Sequence, residues 1–131
     1  MKNKFGIALK AMIKNDKNEY LVLFKSDKED INPKQIDIPG GRMEFGESFK
    51  DSLEREVKEE LGIEVEINNH SSVWNLIKDD FHLVGITFNA KYIGGEIKLS
   101  FEHDNYSWLK KEDVFNSKYP EWLKDEFMKA D

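Results

Sequence analysis

Between Ser48 and Leu61 the apolar residues Phe49, Leu53, Val57 and Leu61 recur every four positions. An α-helix turns once per about 3.6 residues, so this spacing stacks them along one face of a helix. The ends carry matching signals: Ser48 followed by Asp51 resembles a capping pair, and Gly62 suits the left-handed turn that ends a helix. A helix with one apolar face has to bury it against another layer, and the flanking sequence supplies strands. Residues 5–14 and 19–25 read as two strands of a hairpin around the polar turn 15–18. A charged loop, 26–35, leads to the short alternating Ile36-Asp37-Ile38, which Pro39, Gly40 and Gly41 terminate.

Beyond Gly62, residues 63–67, 72–77 and 81–93 are rich in β-branched and aromatic residues, with turns at Asp79-Asp80 and Gly94-Gly95. Ile97, Leu99 and Phe101 alternate as a further strand, and 106–109 forms one more. A second helix is expected over 120–129, opened by Pro120, with Trp122, Leu123 and Phe127 in the core. Strands around two helices point to an α/β or α+β sandwich with a mixed sheet. The 131 residues fit one domain, 1–131, with one core. No apolar run approaches the roughly 20 residues that span a bilayer, so no membrane partner is expected. The N-terminal stretch lacks a secretory signal, which leads us to expect a cytoplasmic protein. With no cysteine, thiolate metal sites and a cysteine nucleophile are excluded. A net charge of −6 without a basic stripe disfavours nucleic acid as a partner.

The polar side of the helix carries the chemistry. Glu56, Glu59 and Glu60 lie three and four residues apart, which puts their side chains on one stripe. Like charges so placed cost about 0.2–0.5 kcal/mol per pair in an isolated helix. They form either a solvated acidic face or a site for a hard cation such as Mg²⁺, which takes carboxylate, water and phosphate oxygens. The segment before the helix favours the second reading. Gly40 and Gly41 lack the Cβ that would keep a backbone carbonyl away from a metal. Glu44 and Glu47 add carboxylates, and Arg55 can pair with one of the acids as a fork and orient it.

Residues 41–63, GRMEFGESFKDSLEREVKEELGI, resemble the Nudix box, G-x5-E-x7-R-E-U-x-E-E-x-G-U, with U a bulky apolar residue. Gly41, Glu47, Arg55, Glu56, Val57, Glu59, Glu60, Gly62 and Ile63 fill its fixed positions. The resemblance implies a Nudix-type α/β/α sandwich that hydrolyses nucleoside diphosphate-linked substrates with Mg²⁺ or Mn²⁺. It implies Glu56, Glu59 and Glu60 as metal ligands, with a backbone carbonyl from Gly40 or Gly41. Glu47 and Arg55, with Glu44 beside them, would hold and orient that set. Glu56 or Glu59 could accept the proton of the attacking water.

MutT-like members of the family add an acid from the loop before a late strand; here the best candidate is Glu102, with His103 and Asp104 as alternatives. Lys25 stands where an arginine often contacts phosphate, and Arg42 is a second candidate substrate contact. Trp74, Phe81, Phe88 and Tyr92 are candidates either for a base pocket or for the core. A nucleoside triphosphate is the first expected substrate. ADP-ribose, a nucleotide sugar, or a silent nucleotide-binding module are the alternatives, in a monomer or a homodimer.

Overall fold

The computed structural model describes residues 4–25, 36–115 and 119–131. Its order is β1 (Lys4–Lys14), β2 (Tyr20–Lys25), β3 (Ile36–Asp37), β4 (Gly40–Arg42), α1 (Phe49–Leu61), β5 (Glu64–Lys78), β6 (Phe81–Gly94), β7 (His103–Leu109), α2 (Lys111–Phe115) and α3 (Glu121–Lys129). The strands form one mixed sheet ordered β3-β2-β1-β6-β5, with β4 paired to β1 and β7 to β2. β1 and β6 run parallel in unbroken register from Lys4↔Phe81 to Lys14↔Lys91. The antiparallel partners β5 and β6 form the long arm of the sheet.

Alternation along the strands divides the core in two. Leu9, Ala11, Ile13, Leu21 and Leu23 face one way and meet Leu53, Val57 and Leu61 of α1. Met12, Tyr20 and Val22 face the other and meet Val114, Leu123 and Phe127 of α2 and α3. Helices therefore cover both faces, as the α/β/α sandwich requires. Each fully buried leucine or valine of α1 contributes about 1.5–3 kcal/mol of apolar burial, which anchors the helix more firmly than its propensity would.

Several sequence expectations need correction. The residues between 67 and 72 do not break the strand: β5 runs through them with shifts of register, absorbing the extra residues as bulges. Ile97 and Leu99 are not strand residues; the chain there is irregular, tied to α1 by Lys98 N–H donating to the Leu61 carbonyl, with both side chains tucked against the core. Phe101 is 87% exposed in a turn. Alternation alone does not make a strand where no neighbouring edge is free to pair. The final strand begins three residues earlier than expected, at His103. Trp122 is 44% exposed while Leu123 and Phe127 are fully buried. The short helix α2 carries no periodicity long enough to announce it.

Candidate active site

α1 begins and ends as its sequence dictates. The Ser48 hydroxyl accepts from Asp51 N–H at 3.0 Å, and Gly62, at φ 74°, donates to the Lys58 carbonyl. Just ahead of it, β4 lies antiparallel to β1, pairing Leu9 with Gly41 and Lys10 with Gly40. The Pro39-Gly40-Gly41 segment is thus partly strand rather than a free turn. Its glycines answer two close approaches. A Cβ on Gly40 would lie 2.0 Å from the Leu9 carbonyl oxygen, and one on Gly41 would lie 2.0 Å from Glu56 Oε2. Only glycine lets the Glu56 carboxylate rest on this backbone.

Arg55 is the hub of the acidic face. Its Nε donates to Glu47 Oε2 at 2.7 Å and its Nη2 to Glu47 Oε1 at 2.9 Å, a two-pronged pair. Its Nη1 donates to Glu56 at 3.0 Å and Glu59 at 3.2 Å, while Glu44 stands 3.8 Å from Nη2. The Arg55 hydrogen bonds hold the Glu47 carboxyl at a pKa of about 2. Glu47 Oε1 also accepts from Glu44 N–H, which closes the loop onto the helix.

Glu60 turns the other way. Its carboxylate accepts from Gly40 N–H at 3.2 Å and is 14% exposed. Burial pushes its pKa up, and Asp37 adds to this; the Gly40 N–H, Lys10 and His103 counteract only part of the shift. A neighbouring group stays ionised. Burial alone would raise Asp37, but contacts from His103, Lys10 and Ile38 N–H hold it at about 2. His103 is buried between these two acids, its Nε2 3.7 Å from Asp37 and its Nδ1 3.7 Å from Glu60. Neither ring nitrogen has a hydrogen-bond partner among the described residues.

These groups open onto one cleft of about 730 Å³, lined by Lys10, Lys25, Asp37, Gly40, Gly41, Arg42, Glu56, Glu59, Glu60, Ser100, Glu102 and His103. Most of the expected site residues are gathered there; Glu44, Glu47 and Arg55 stand behind them. Arg42 also lies over the Phe81 ring at 4.3 Å. The candidate base-pocket aromatics do not line this cleft. Trp74 lies on Gly85 and donates to Thr87, Phe88 meets Phe49, and Tyr92 meets Trp108. Lys10 and Asp37 were missed from sequence. Their one signal was an acid set between two isoleucines just before Pro39.

A divalent cation suits these residues. Four glutamates supply hard oxygen donors to one cleft, and the upward shift of Glu60 marks negative charge buried with too little compensation. Among the described residues no three His, Cys, Asp or Glu side chains are already drawn together around a point. Arg55 takes Glu56 and Glu59 instead.

The comparison that decides the family is a match of residues 4–130 to the family model described as the NUDIX domain. The chain is a Nudix hydrolase. Over 115 residues this Nudix hydrolase is 28% identical to the nucleoside triphosphatase NudI of Escherichia coli O17:K52:H18, covering 79% of this chain and 80% of that one. Its fold matches the crystal structure of the MutT protein from Methanosarcina mazei Go1 with a TM-score of 0.82 and 31% identity, over 98% of this chain and 94% of the other. A Caenorhabditis elegans Ap4A hydrolase shares the fold with a TM-score of 0.74 at 24% identity, over 95% and 93% of the two chains. The box helix, the mixed sheet and the helices on both faces are thus features this Nudix hydrolase has in common with its relatives. No helix among its described residues is long and apolar enough to cross a membrane.

Proposed function

We propose that this Nudix hydrolase, acting as one domain, cleaves a phosphoric anhydride bond of a nucleoside triphosphate with the aid of Mg²⁺ or Mn²⁺. The observation that carries the metal assignment is the Glu56 carboxylate seated on Gly41 in the cleft it shares with Glu59, Glu60 and Glu102. The substrate class is supported by the nucleoside triphosphatase among its relatives.

Glu56, Glu59 and Glu60 would hold the cation, with a carbonyl of Gly40 or Gly41. When bound, it neutralises phosphate charge and lowers the pKa of a coordinated water. The chain's own groups do the remainder. Lys10, Lys25 and Arg42 bring positive charge to the cleft and bind phosphate oxygens, Lys25 as a point charge and Arg42 as a fork. A water oxygen bonds to one phosphorus while the bridging oxygen leaves with the other phosphate. One water proton passes to a carboxylate; Glu56, Glu59 and Glu102 are the candidates. Arg55 keeps Glu56 and Glu59 in place before substrate arrives, so less ordering remains for the reaction itself.

The test is a panel of nucleoside triphosphates, with ADP-ribose and a nucleotide sugar alongside, incubated with Mg²⁺ and followed for phosphate, pyrophosphate and mononucleotide. Turnover of a triphosphate that disappears with EDTA and in Glu59→Gln and Glu60→Gln is expected. Unimpaired turnover in both variants would overturn the metal assignment, and saturable binding without turnover would overturn the hydrolytic one.

A further inference from the structure

Two groups that line the cleft have no part in the reaction as described: Asp37 and His103. β2 brings both to it, pairing with β3 through Leu23↔Asp37 and with β7 through Lys25↔His103. Asp37 stands between the buried Ile36 and Ile38 and turns away from them. β7 carries one extra residue, Asp104, at this point, since Phe24 pairs with Asn105 and Lys25 with His103. A bulge interrupts the alternation of side chains and re-aims its neighbours. Here it aims His103 inward, where it is 5% exposed.

Asp37 is firmly anchored. Its Oδ1 accepts from Ile38 N–H at 2.9 Å and from Lys10 Nζ at 3.2 Å, which leaves Oδ2 facing His103 Nε2 at 3.7 Å. Across the ring, Glu60 Oε2 faces Nδ1 at 3.7 Å, while Glu60 Oε1 accepts from Gly40 N–H. A row therefore runs Lys10, Asp37, His103, Glu60, Gly40, and all five line the cleft. Each oxygen of Glu60 faces a nitrogen, so the carboxylate is confined on both sides.

Packing alone gives no reason for an imidazole here. A buried polar atom without a partner costs free energy that an apolar ring of similar size would not, and both His103 nitrogens lack one among the described residues. Their 3.7 Å contacts lie about half an ångström beyond a hydrogen bond. Contacts of this kind are often long in an empty site and tighten when it is loaded.

We propose that Asp37 and His103 are positioning residues of the metal site: Asp37 steadies the imidazole, and the imidazole braces Glu60 for the cation. His103 acts through Glu60 and is not itself a ligand, since both its nitrogens are turned to carboxylates. The proposal rests on the reading of Glu60 as a metal ligand, and it gives a role to Asp37, which lies outside the box.

Mn²⁺ binding to the whole protein, followed by electron paramagnetic resonance without substrate, tests this apart from turnover. His103→Phe is expected to weaken Mn²⁺ binding about 10-fold or more, the usual cost of losing a group that orients a ligand. Asp37→Asn is expected to show a smaller loss in the same direction. The two ring nitrogens are separable. His103→Asn puts an amide near the Nδ1 position and should keep most of the affinity, whereas His103→Gln reaches the Nε2 position and should lose about as much as His103→Phe. In a Glu60→Gln background, His103→Phe should change the affinity by less than about twofold, because its effect passes through that carboxylate. Circular dichroism checks each variant, and the amide variants with Asp37→Asn carry the comparison if His103→Phe does not fold. A merely structural defect would add in full to Glu60→Gln, and that result would overturn the proposal. So would wild-type affinity in Asp37→Asn and the His103 variants, or tighter binding by His103→Gln than by His103→Asn. Wild-type Mn²⁺ affinity in Glu60→Gln itself would remove the metal assignment and the brace together, whereas a loss there beside unaffected His103 variants removes the brace alone.

Discussion

The two walls of the cleft are built in opposite ways. The wall made by β4 and α1 is local: Gly41, Glu47, Arg55, Glu56 and Glu60 come from one short run of chain, tied together by the Arg55 fork and the Gly40 N–H. The wall carrying Lys25, Ser100, Glu102 and His103 is assembled at long range, where β2 pairs with β7 and shifts register at Lys25↔His103. Hydrogen bonds between side chains hold the first wall in place before any ligand arrives. The second presents an exposed turn acid and a buried imidazole without hydrogen-bond partners among the described residues. A fixed wall can position a cation, while a looser one can adjust to the substrate.

That contrast can be broken most sharply on the fixed wall. Glu60→Gln should lower kcat/KM by about 100-fold or more, and weaken Mn²⁺ binding measured by electron paramagnetic resonance, with little change in Tm. Gly41→Ala should come next, at about 10–100-fold. Its methyl would displace the Glu56 carboxylate, and circular dichroism should remain native. Arg55→Lys retains the charge but loses the fork to Glu47, so a loss of about 10-fold in kcat is expected with KM nearly unchanged. Across the cleft, Glu102→Gln should cost less than Glu60→Gln. If it costs as much, the two walls share the cation equally and the contrast fails. The smallest effect concerns stability. Glu47 titrates near 2 in the folded chain, below its ordinary value of 4.5, so its contribution is present above about 4.5 and is lost as pH falls toward 2. In Glu47→Gln, the fall of Tm across that window should be shallower than in the wild type.

The same division explains what could be read in advance. Gly41, Glu47, Arg55, Glu56, Glu59 and Glu60 are legible because their roles depend on separations of a few residues along one helix and the turn before it. The strands β1 and β2 and the helix α1 were legible from their apolar residues and the four-residue period of the helix, but the single core expected is divided in two by the sheet. Asp37 and Lys10 were not, because they meet only once β1, β3 and β4 are assembled, across 27 residues of sequence. The strand expected at Ile97 to Phe101 failed for a related reason, since a strand is defined by its neighbour as much as by its own residues. The charged loop expected at 26–35 falls outside the described residues.

The parallel ladder between β1 and β6 has a consequence for how the chain is made. β1 leaves the ribosome before the other described elements, yet its full-length partner follows α1 and the whole of β5. Until β6 emerges, Leu9, Ala11 and Ile13 lack the neighbour that completes the sheet on that side, and the box helix lacks a finished floor. Pairings between such distant segments form slowly. Synthesis speed and chaperone supply should therefore govern the yield of active enzyme as strongly as the stability of the finished fold.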